Sequence, residues 1–312
     1  MHSWVPDADA SAFPLGHLPL GVRRRPDGSH AAVTRIGERV ADLRVLAEIG
    51  LFDDCGTART HFARPHLNAL LAEGPDALAR VRTRLQQCLA ATPTYYDLRE
   101  RREIFLLPQK HATLVQPIRP GDLTLVTEGG PRGLRASSLL PDGAEIPRLA
   151  AAADGTAVTG ALAFVVAGDT RLGRGVDEVA ARALLFGAGA VLCFRESDTP
   201  AAGLPYACVL SAYLTPLAAY GSTALSLTHA PYRERVRGVA TVRPDGVLAT
   251  AARALAQLST RGARFRTGDL IAVALPELTL RGLAEGDVVT LTTEGDTGPA
   301  PASATLTPPL RA

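Results

Sequence analysis

The residues best equipped for chemistry gather around one short stretch. Cys193 sits near the end of an apolar run, Gly189–Phe194, with Arg195, Glu196 and Asp198 just beyond it. A cysteine attacks as its thiolate, which needs a base or a positive neighbour; Arg195 is the only positive group close in sequence. Glu196 and Asp198 are strand-end carboxylates, the right type for a general acid or base where a strand opens on a pocket. The alternative is a pair of solvated loop charges. Tyr206 and Tyr213 flank Cys208 and either line the same pocket or pack into the core. His111 and His229 stand in no catalytic spacing and read as structural. The four cysteines, Cys55, Cys88, Cys193 and Cys208, have no CxxC spacing and no histidine at ligand spacing. They define no zinc site and read as buried thiols. No cofactor is expected.

The element that must position this cluster is the long apolar strand Ala157–Val166, which ends in the turn Gly168-Asp169-Thr170. A helix over 177–187, with Val179, Ala183 and Leu184 on one face, leads to the Gly189–Phe194 strand. Earlier in the chain, residues 1–30 are rich in Pro and Gly and read as extended chain with turns, at most a strand edge. Val33–Leu43 reads as a hairpin turning at Gly37-Glu38. Apolar residues at three- and four-residue steps make 65–90 helical. Gly74-Pro75 divides that stretch, with Pro75 suited to a helix's first turn. A further helix or turn covers 95–103. The apolar stretch 104–117, interrupted by Pro108, reads as the joint between a domain at 1–117 and a larger one at 118–312. Strands are expected around Tyr206–Tyr213 and over 236–242, and an Ala-rich helix over 248–258. Two Gly-Asp turns, at Gly268-Asp269 and Gly286-Asp287, each launch an apolar strand. The tail, 295–312, rich in Pro, Ala and Thr, reads as loose.

Composition narrows the function classes. Of 312 residues, 46% are hydrophobic and 21% charged, ample for a core. No apolar run approaches the roughly 20 residues of a membrane span. The N-terminus has neither a basic start nor an apolar h-region, so a cytoplasmic protein is expected. The net charge is +2, and Arg23-Arg24-Arg25 is the only basic triplet. Nucleic-acid binding would want a basic stripe interleaved with aromatics, and none is present.

Motifs in collinear order carry a resemblance. Ser3-Trp4-Val5-Pro6, Phe13-Pro14-Leu15 and Leu18-Pro19-Leu20-Gly21-Val22 resemble the opening of the fumarylacetoacetase family. Phe62, Pro65, Leu67 and Asn68 are similar to its helix entry. Gly121-Asp122, Arg135-Ala136-Ser137-Ser138, Ala163-Phe164, Arg171-Leu172-Gly173 and Arg266-x-Gly268-Asp269-Leu270 continue the order to the C-terminal part. The resemblance implies an α+β, β-rich fold: a small SH3-like β-barrel domain followed by a mixed β-roll, assembled as a homodimer through the roll. The apolar strands Leu162–Val166 and Ile271–Val273 also look too greasy for one small roll to cover.

The same resemblance implies a divalent cation held by carboxylates, and the departures fall there. The corresponding positions are Leu125, Thr159, Ala161 and Cys193. The segment that carries the family's general-base histidine shrinks to 126–134 and holds none, and its active-site lysine has no counterpart. Hard cations need oxygen ligands, so no metal is expected. Arg135, retained in its motif, is placed to grip a carboxylate or diketone oxygen, unless it only fixes a turn.

Three function classes remain. One is metal-independent lyase, isomerase, cyclase or hydrolase chemistry on a dicarbonyl-like small molecule, in bacterial specialised metabolism. The second is a catalytically inactive scaffold or binding protein. The third is a genuine carbon–carbon bond hydrolase.

Overall fold

The computed structural model describes residues 2–148, 155–196, 204–220, 224–243, 245–294 and 300–308. The chain opens with β1 (Leu20–Arg24), β2 (His30–Ile36) and β3 (Arg39–Asp42), an antiparallel meander whose second turn falls at Gly37-Glu38 as expected. Asp42 ends β3 and caps α1 (Leu43–Glu48), its carboxylate accepting from the Val45 N–H and from Arg23 at 2.6 Å. The helical stretch divides into α2 (Asn68–Leu71) and α3 (Gly74–Leu89), with Pro75 in the first turn of α3. Leu78, Val81, Leu85 and Leu89 form the buried stripe of α3. Then come α4 (Tyr96–Glu100), β4 (Leu106–Pro108), which pairs with β3, and β5 (Thr113–Val115), which pairs with β1.

The remainder supplies β6 (Leu123–Thr127), β7 (Gly130–Leu134), β8 (Leu139–Leu140), β9 (Ala144–Pro147) and β10 (Thr156–Val166). Next are α5 (Glu178–Ala183), β11 (Leu185–Glu196), β12 (Ala207–Leu210), β13 (Tyr213–Pro216), β14 (Ala224–Ala230) and β15 (Arg237–Val242). The last elements are α6 (Val247–Thr260), β16 (Leu270–Leu283), β17 (Val288–Glu294) and β18 (Ala302–Thr307). One large sheet runs β4-β3-β2-β1-β13-β11-β10-β16-β6-β7, and a smaller one runs β15-β14-β17-β18-β9. β10 lies inside the large sheet, antiparallel to both β11 and β16.

Alternation along β10 divides the core. Val158, Leu162, Phe164 and Val166 face the interior of the roll, against Leu225, Leu227, Val289 and Leu291 of the smaller sheet. Ala161, Ala163 and Val165 belong to the opposite core, which also holds Leu46, Phe52, Phe62 and Leu85 of the N-terminal part. The two parts expected to meet at residue 117 thus share one core, and β1 pairs with β13, so they also share one sheet.

The structure corrects several expectations. β1 is hydrogen-bonded along both edges, to β2 on one side and to β13 and β5 on the other, so it is not an edge strand. On α5, Val179 is 81% exposed and the buried residue is Ala181. The helix is short because Asp177 caps it and Leu185 already enters β11. The tail contains β18, which pairs with β17 and β9 and buries Ala302, Ala304 and Leu306. Leu162–Val166 and Ile271–Val273 are buried within the chain itself, so they need no partner's cover. Among the described residues, no helix is long and apolar enough to cross a membrane.

Candidate functional site

Strand register brings the implied ligand positions onto one face. Thr279 of β16, Thr159 of β10, Cys193 of β11 and Cys208 of β12 form a row of directly opposed residues across the large sheet. Ala274, Ala161, Val191 and Leu210 form the next row, and Leu125 lies beyond it opposite Ala272, the neighbour of Ala163. Rows on one face are about 7 Å apart along a strand. On the other side of the threonine row, Arg195 stands opposite Ala157.

The floor of this face is apolar and closed. Ala161 is fully buried, Leu125 and Cys193 are each 4% exposed, and all three belong to the core shared with the N-terminal part. The hydroxyls of Thr159 and Thr279 bond to each other at 3.0 Å and are only half-buried. Between Ala274 and Thr279, β16 bulges opposite Gly160, a device that re-aims side chains at sheet irregularities. A Cβ on Gly160 would sit 3.1 Å from the Leu278 Cβ, so glycine lets Leu278 tuck beneath the bulge. Pro276 and Glu277 then turn outward to solvent.

Arg195 and Arg281 supply the charge at the open end. Arg195 is 3% exposed, whereas Arg281 is exposed. Burial, and then the nearby Arg281 charge, lower the Arg195 pKa from the ordinary arginine value. A guanidinium stays protonated in proteins, so both arginines carry positive charge. Such a place favours an anion.

The residues nominated from sequence scatter otherwise. Arg135 is exposed, precedes the short turn at Ala136–Ser138, and makes no side-chain hydrogen bond or ion pair among the described residues. Glu196 is exposed and, one residue after Arg195, lies on the opposite face. Tyr206 packs against the roll interior, where burial raises its pKa, so it does not line the face of Cys193. Tyr213 is buried with Phe13, Val33 and Val40 and donates to Gln109 Oε1 at 2.6 Å. Its place is the joint between the two parts, and burial holds its phenol far above the usual range. Asp198 lies outside the described residues. His229 bonds to Asp287 Oδ2 at 2.9 Å, a structural role.

Arg195 was legible as a neighbour of Cys193 but not as a site residue. Its signal was the two-residue step that sets it on the Cys193 face of a strand. Arg281 and Thr279 carried no such signal, because the bulge in β16 hides their register. The segment 126–134 is a tight hairpin, β6–β7, turning at Glu128-Gly129 with Gly130 at φ 95. It leaves no chain to carry a further side chain over the face.

The walls are pinned by the two Gly-Asp turns. Asp269 Oδ1 accepts from the Gly121 and Asp122 N–H groups, and its Oδ2 from Arg266 N–H, tying β16 to the start of β6. Asp287 accepts from the Ala284 and Tyr232 N–H groups besides His229. A separate cavity of about 380 Å³ lies between α3 and the ends of β11 and β13, lined by Leu18, Leu78, Arg82, Phe186 and Leu217. Arg82 already donates to the Gly16 and His17 carbonyls there. Among the described residues, no three His, Cys, Asp or Glu side chains converge as a metal cluster.

Two sheets enclosing a roll, with an N-terminal part packed on the outer face of the larger one, make a fold that solved structures share. Maleylpyruvate hydrolase from Sphingobium sp. SYK-6 matches with a TM-score of 0.64 at 14% identity, over 93% of this chain and 100% of that one. Fumarylacetoacetate hydrolase from Exiguobacterium antarcticum matches at 0.64 and 14%, over 93% and 99%. At such identities the likeness speaks for the fold alone. In sequence, residues 16–117 match the family described as Fumarylacetoacetase N-terminal. The fumarylacetoacetase of Dictyostelium discoideum is 31% identical over 126 residues, 40% of this chain and 30% of that protein. That of Oryza sativa subsp. japonica is 33% identical over 131 residues, again 40% and 30%. The chain thus matches only about 30% of the length of these curated relatives. Residues 16–117 are thus similar to the N-terminal part of fumarylacetoacetases.

Proposed function

We propose that this protein takes a dicarbonyl-like anionic small molecule without a divalent cation at Leu125, Thr159, Ala161 and Cys193. The observation that carries the reading is the placement of Arg195, with the Arg281 charge near it, two residues along β11 from the row that holds the Thr159–Thr279 hydroxyl pair. One hydroxyl, one thiol and two hydrocarbon side chains do not fit magnesium, calcium or manganese, which want several oxygen ligands. Two guanidiniums instead supply fixed positive charge to a carboxylate or an enolate oxygen. Stabilising an enolate is the shared requirement of isomerase, lyase and cyclase chemistry on such molecules.

Acetylpyruvate, a small anionic diketone, is the probe. It is expected to bind saturably in the presence of a chelator. The protein is also expected to accelerate deuterium exchange at the carbon between the two carbonyls, followed by NMR. Absence of binding, or binding only with added divalent cation, would overturn the reading.

The second reading is a catalytically inactive scaffold or binding protein. The burial of Leu125, Ala161 and Cys193 in the shared core favours it. Binding without faster exchange would support it over catalysis. A homodimer through the roll, with the five strands β1–β5 as the family's small barrel, rests on the family resemblance; light scattering that shows only monomer at micromolar concentration would remove the dimer.

A further inference from the structure

Cys193 and Cys208 stand directly opposite each other on antiparallel β11 and β12, with Sγ to Sγ at 3.5 Å. The Ser211 N–H donates to the Ala190 carbonyl on the same ladder. Hydrogen-bonded and non-bonded pairs alternate along an antiparallel ladder. Counting from Ser211, the pairs 192/209 and 194/207 carry bonds and 193/208 does not. The non-bonded pair is the one whose side chains approach most closely, and its backbone spacing falls within the span a disulfide bridges. Both thiols are buried, Cys193 at 4% exposure and Cys208 at 1%. The other two cysteines, Cys55 and Cys88, belong to the N-terminal part.

We propose that Cys193 and Cys208 are a dithiol that hydrogen peroxide oxidises to a cross-strand disulfide. A small neutral oxidant is required, because the buried sulfurs exclude a bulky disulfide reagent. Cys208 donates its S–H to the Cys193 sulfur. That hydrogen bond, and then burial, hold the Cys208 thiol well above its ordinary pKa. Cys193 is the acceptor, the more exposed of the two, and the neighbour of half-buried Thr159, so its sulfur attacks first. Cys193 gives up its proton, its thiolate forms an S–O bond as the O–O bond breaks, and the leaving hydroxide takes up a proton to become water. The Cys208 sulfur then attacks the Cys193 sulfenic acid, forming S–S and breaking S–O. The second hydroxide leaves with the Cys208 proton as water. Two electrons pass from the two thiols to one peroxide, which becomes two waters. The bridge would fasten β12 to β11 beside Thr159, closing a span of 15 positions.

The test uses the folded chain treated with excess peroxide, then denatured and alkylated. The expected product has lost two hydrogens in intact mass before alkylation and carries two alkyl groups after it, and peptide mapping finds the Cys193 and Cys208 peptides joined. Cys55 and Cys88 stay alkylatable, and a thiol reductant restores all four. Cys208→Ala should stop at the first step, leaving Cys193 as a dimedone-reactive sulfenic acid, whereas Cys193→Ala should leave Cys208 unoxidised. Both thiols still alkylatable after treatment of the parent, a bridge through Cys55 or Cys88, or oxidation of Cys208 in the Cys193 variant would each overturn the proposal. The parent readout needs no variant, so misfolding of a substituted chain does not rescue it.

Discussion

The hydroxyls of Thr159 and Thr279 meet at 3.0 Å across β10 and β16, directly opposite one another where the family resemblance implies a carboxylate. A hydroxyl pair of this kind satisfies itself without a metal. Thr159→Val removes one member and leaves the other half-exposed, so water replaces part of the loss. The expected cost is about 0.5–1.5 kcal/mol in urea denaturation. The double variant with Thr279→Val should cost less than the sum of the two single changes, because both remove the same bond. Strict additivity would show that the pair is not coupled.

Arg195 and Arg135 separate under substitution. Arg195→Met removes a guanidinium from the face beside Thr159, and anion affinity should fall by roughly 1.5–3 kcal/mol, the worth of a charge-assisted hydrogen bond. Arg135 is exposed with no side-chain bond among the described residues. Arg135→Met should leave stability within about 0.5 kcal/mol of the parent and binding unchanged. Calorimetric titration of both variants with acetylpyruvate decides the order. A larger loss for Arg135 would move the site to the Ala136–Ser138 turn.

What the sequence made legible, and what it hid, follows from how locally each feature is encoded. β10 is an unbroken apolar run, the β2–β3 turn is marked by glycine, and α3 has a stripe at helical spacing; each is readable within its own segment. β18 was missed because Ala302, Ala304 and Leu306 alternate weakly among Thr and Pro, and only pairing with β17 and β9 makes them a strand. The candidate face was half visible. Resemblance located Thr159, Ala161 and Cys193, and register set them side by side. Arg281 and Thr279 arrive through an irregular strand from far along the chain, which no local pattern announces. Tyr206 and Tyr213 flank Cys208 in sequence yet pack away from it, because Tyr206 lies just outside β12, where strand alternation does not fix its side, and β13 leaves for the joint.

Gly21 reports on that joint. It pairs with Tyr213, and a Cβ there would lie 2.8 Å from the Ala212 carbonyl oxygen and 2.8 Å from the Tyr213 ring. Backbone cannot yield cheaply, so Gly21→Ala forces β1 from β13. Overpacking of this kind typically costs about 1–3 kcal/mol. Because both parts share one core, unfolding should remain a single transition at a lower midpoint. Two separated transitions in the parent would show that the parts fold independently.

Asp287 gives a pH dependence. Burial alone would raise its pKa, but the Ala284 N–H, the His229 ring and the Tyr232 N–H together hold it below the ordinary carboxylate value. A carboxylate depressed in the folded state contributes fully above its unfolded pKa of about 3.9 and loses that contribution as pH falls through the folded value. Asp287→Asn should therefore be less stable than the parent at neutral pH, with the gap narrowing below about pH 4. Asp269 acts in the opposite sense, because burial raises its pKa. Thermal midpoints of parent and variant across the acid range provide the measurement. A gap constant down to pH 2–3, below the ordinary carboxylate range, would show that the carboxylate's charge contributes nothing.

Divalent cations test the proposed chemistry most directly. A hard cation gives up hydration water only to several oxygens, preferably anionic, converging at 2.0–2.6 Å. On the face of β10 the implied positions offer the Thr159 hydroxyl, the Cys193 sulfur, and the hydrocarbon of Ala161 and Leu125. Arg195 adds positive charge, which repels a cation. Glu277 is exposed on the bulge, but a lone carboxylate holds such ions only weakly. A ligand that binds only the folded state raises its stability in proportion to the logarithm of concentration over Kd. Millimolar magnesium, manganese or calcium should therefore leave the thermal midpoint unchanged, and elemental analysis of purified protein should find no stoichiometric metal. Cleavage of an acylpyruvate should be absent with and without the ions. Stoichiometric metal, or cleavage that depends on it, would mean that the ligands lie elsewhere and that Leu125, Thr159, Ala161 and Cys193 are not the positions the resemblance makes them.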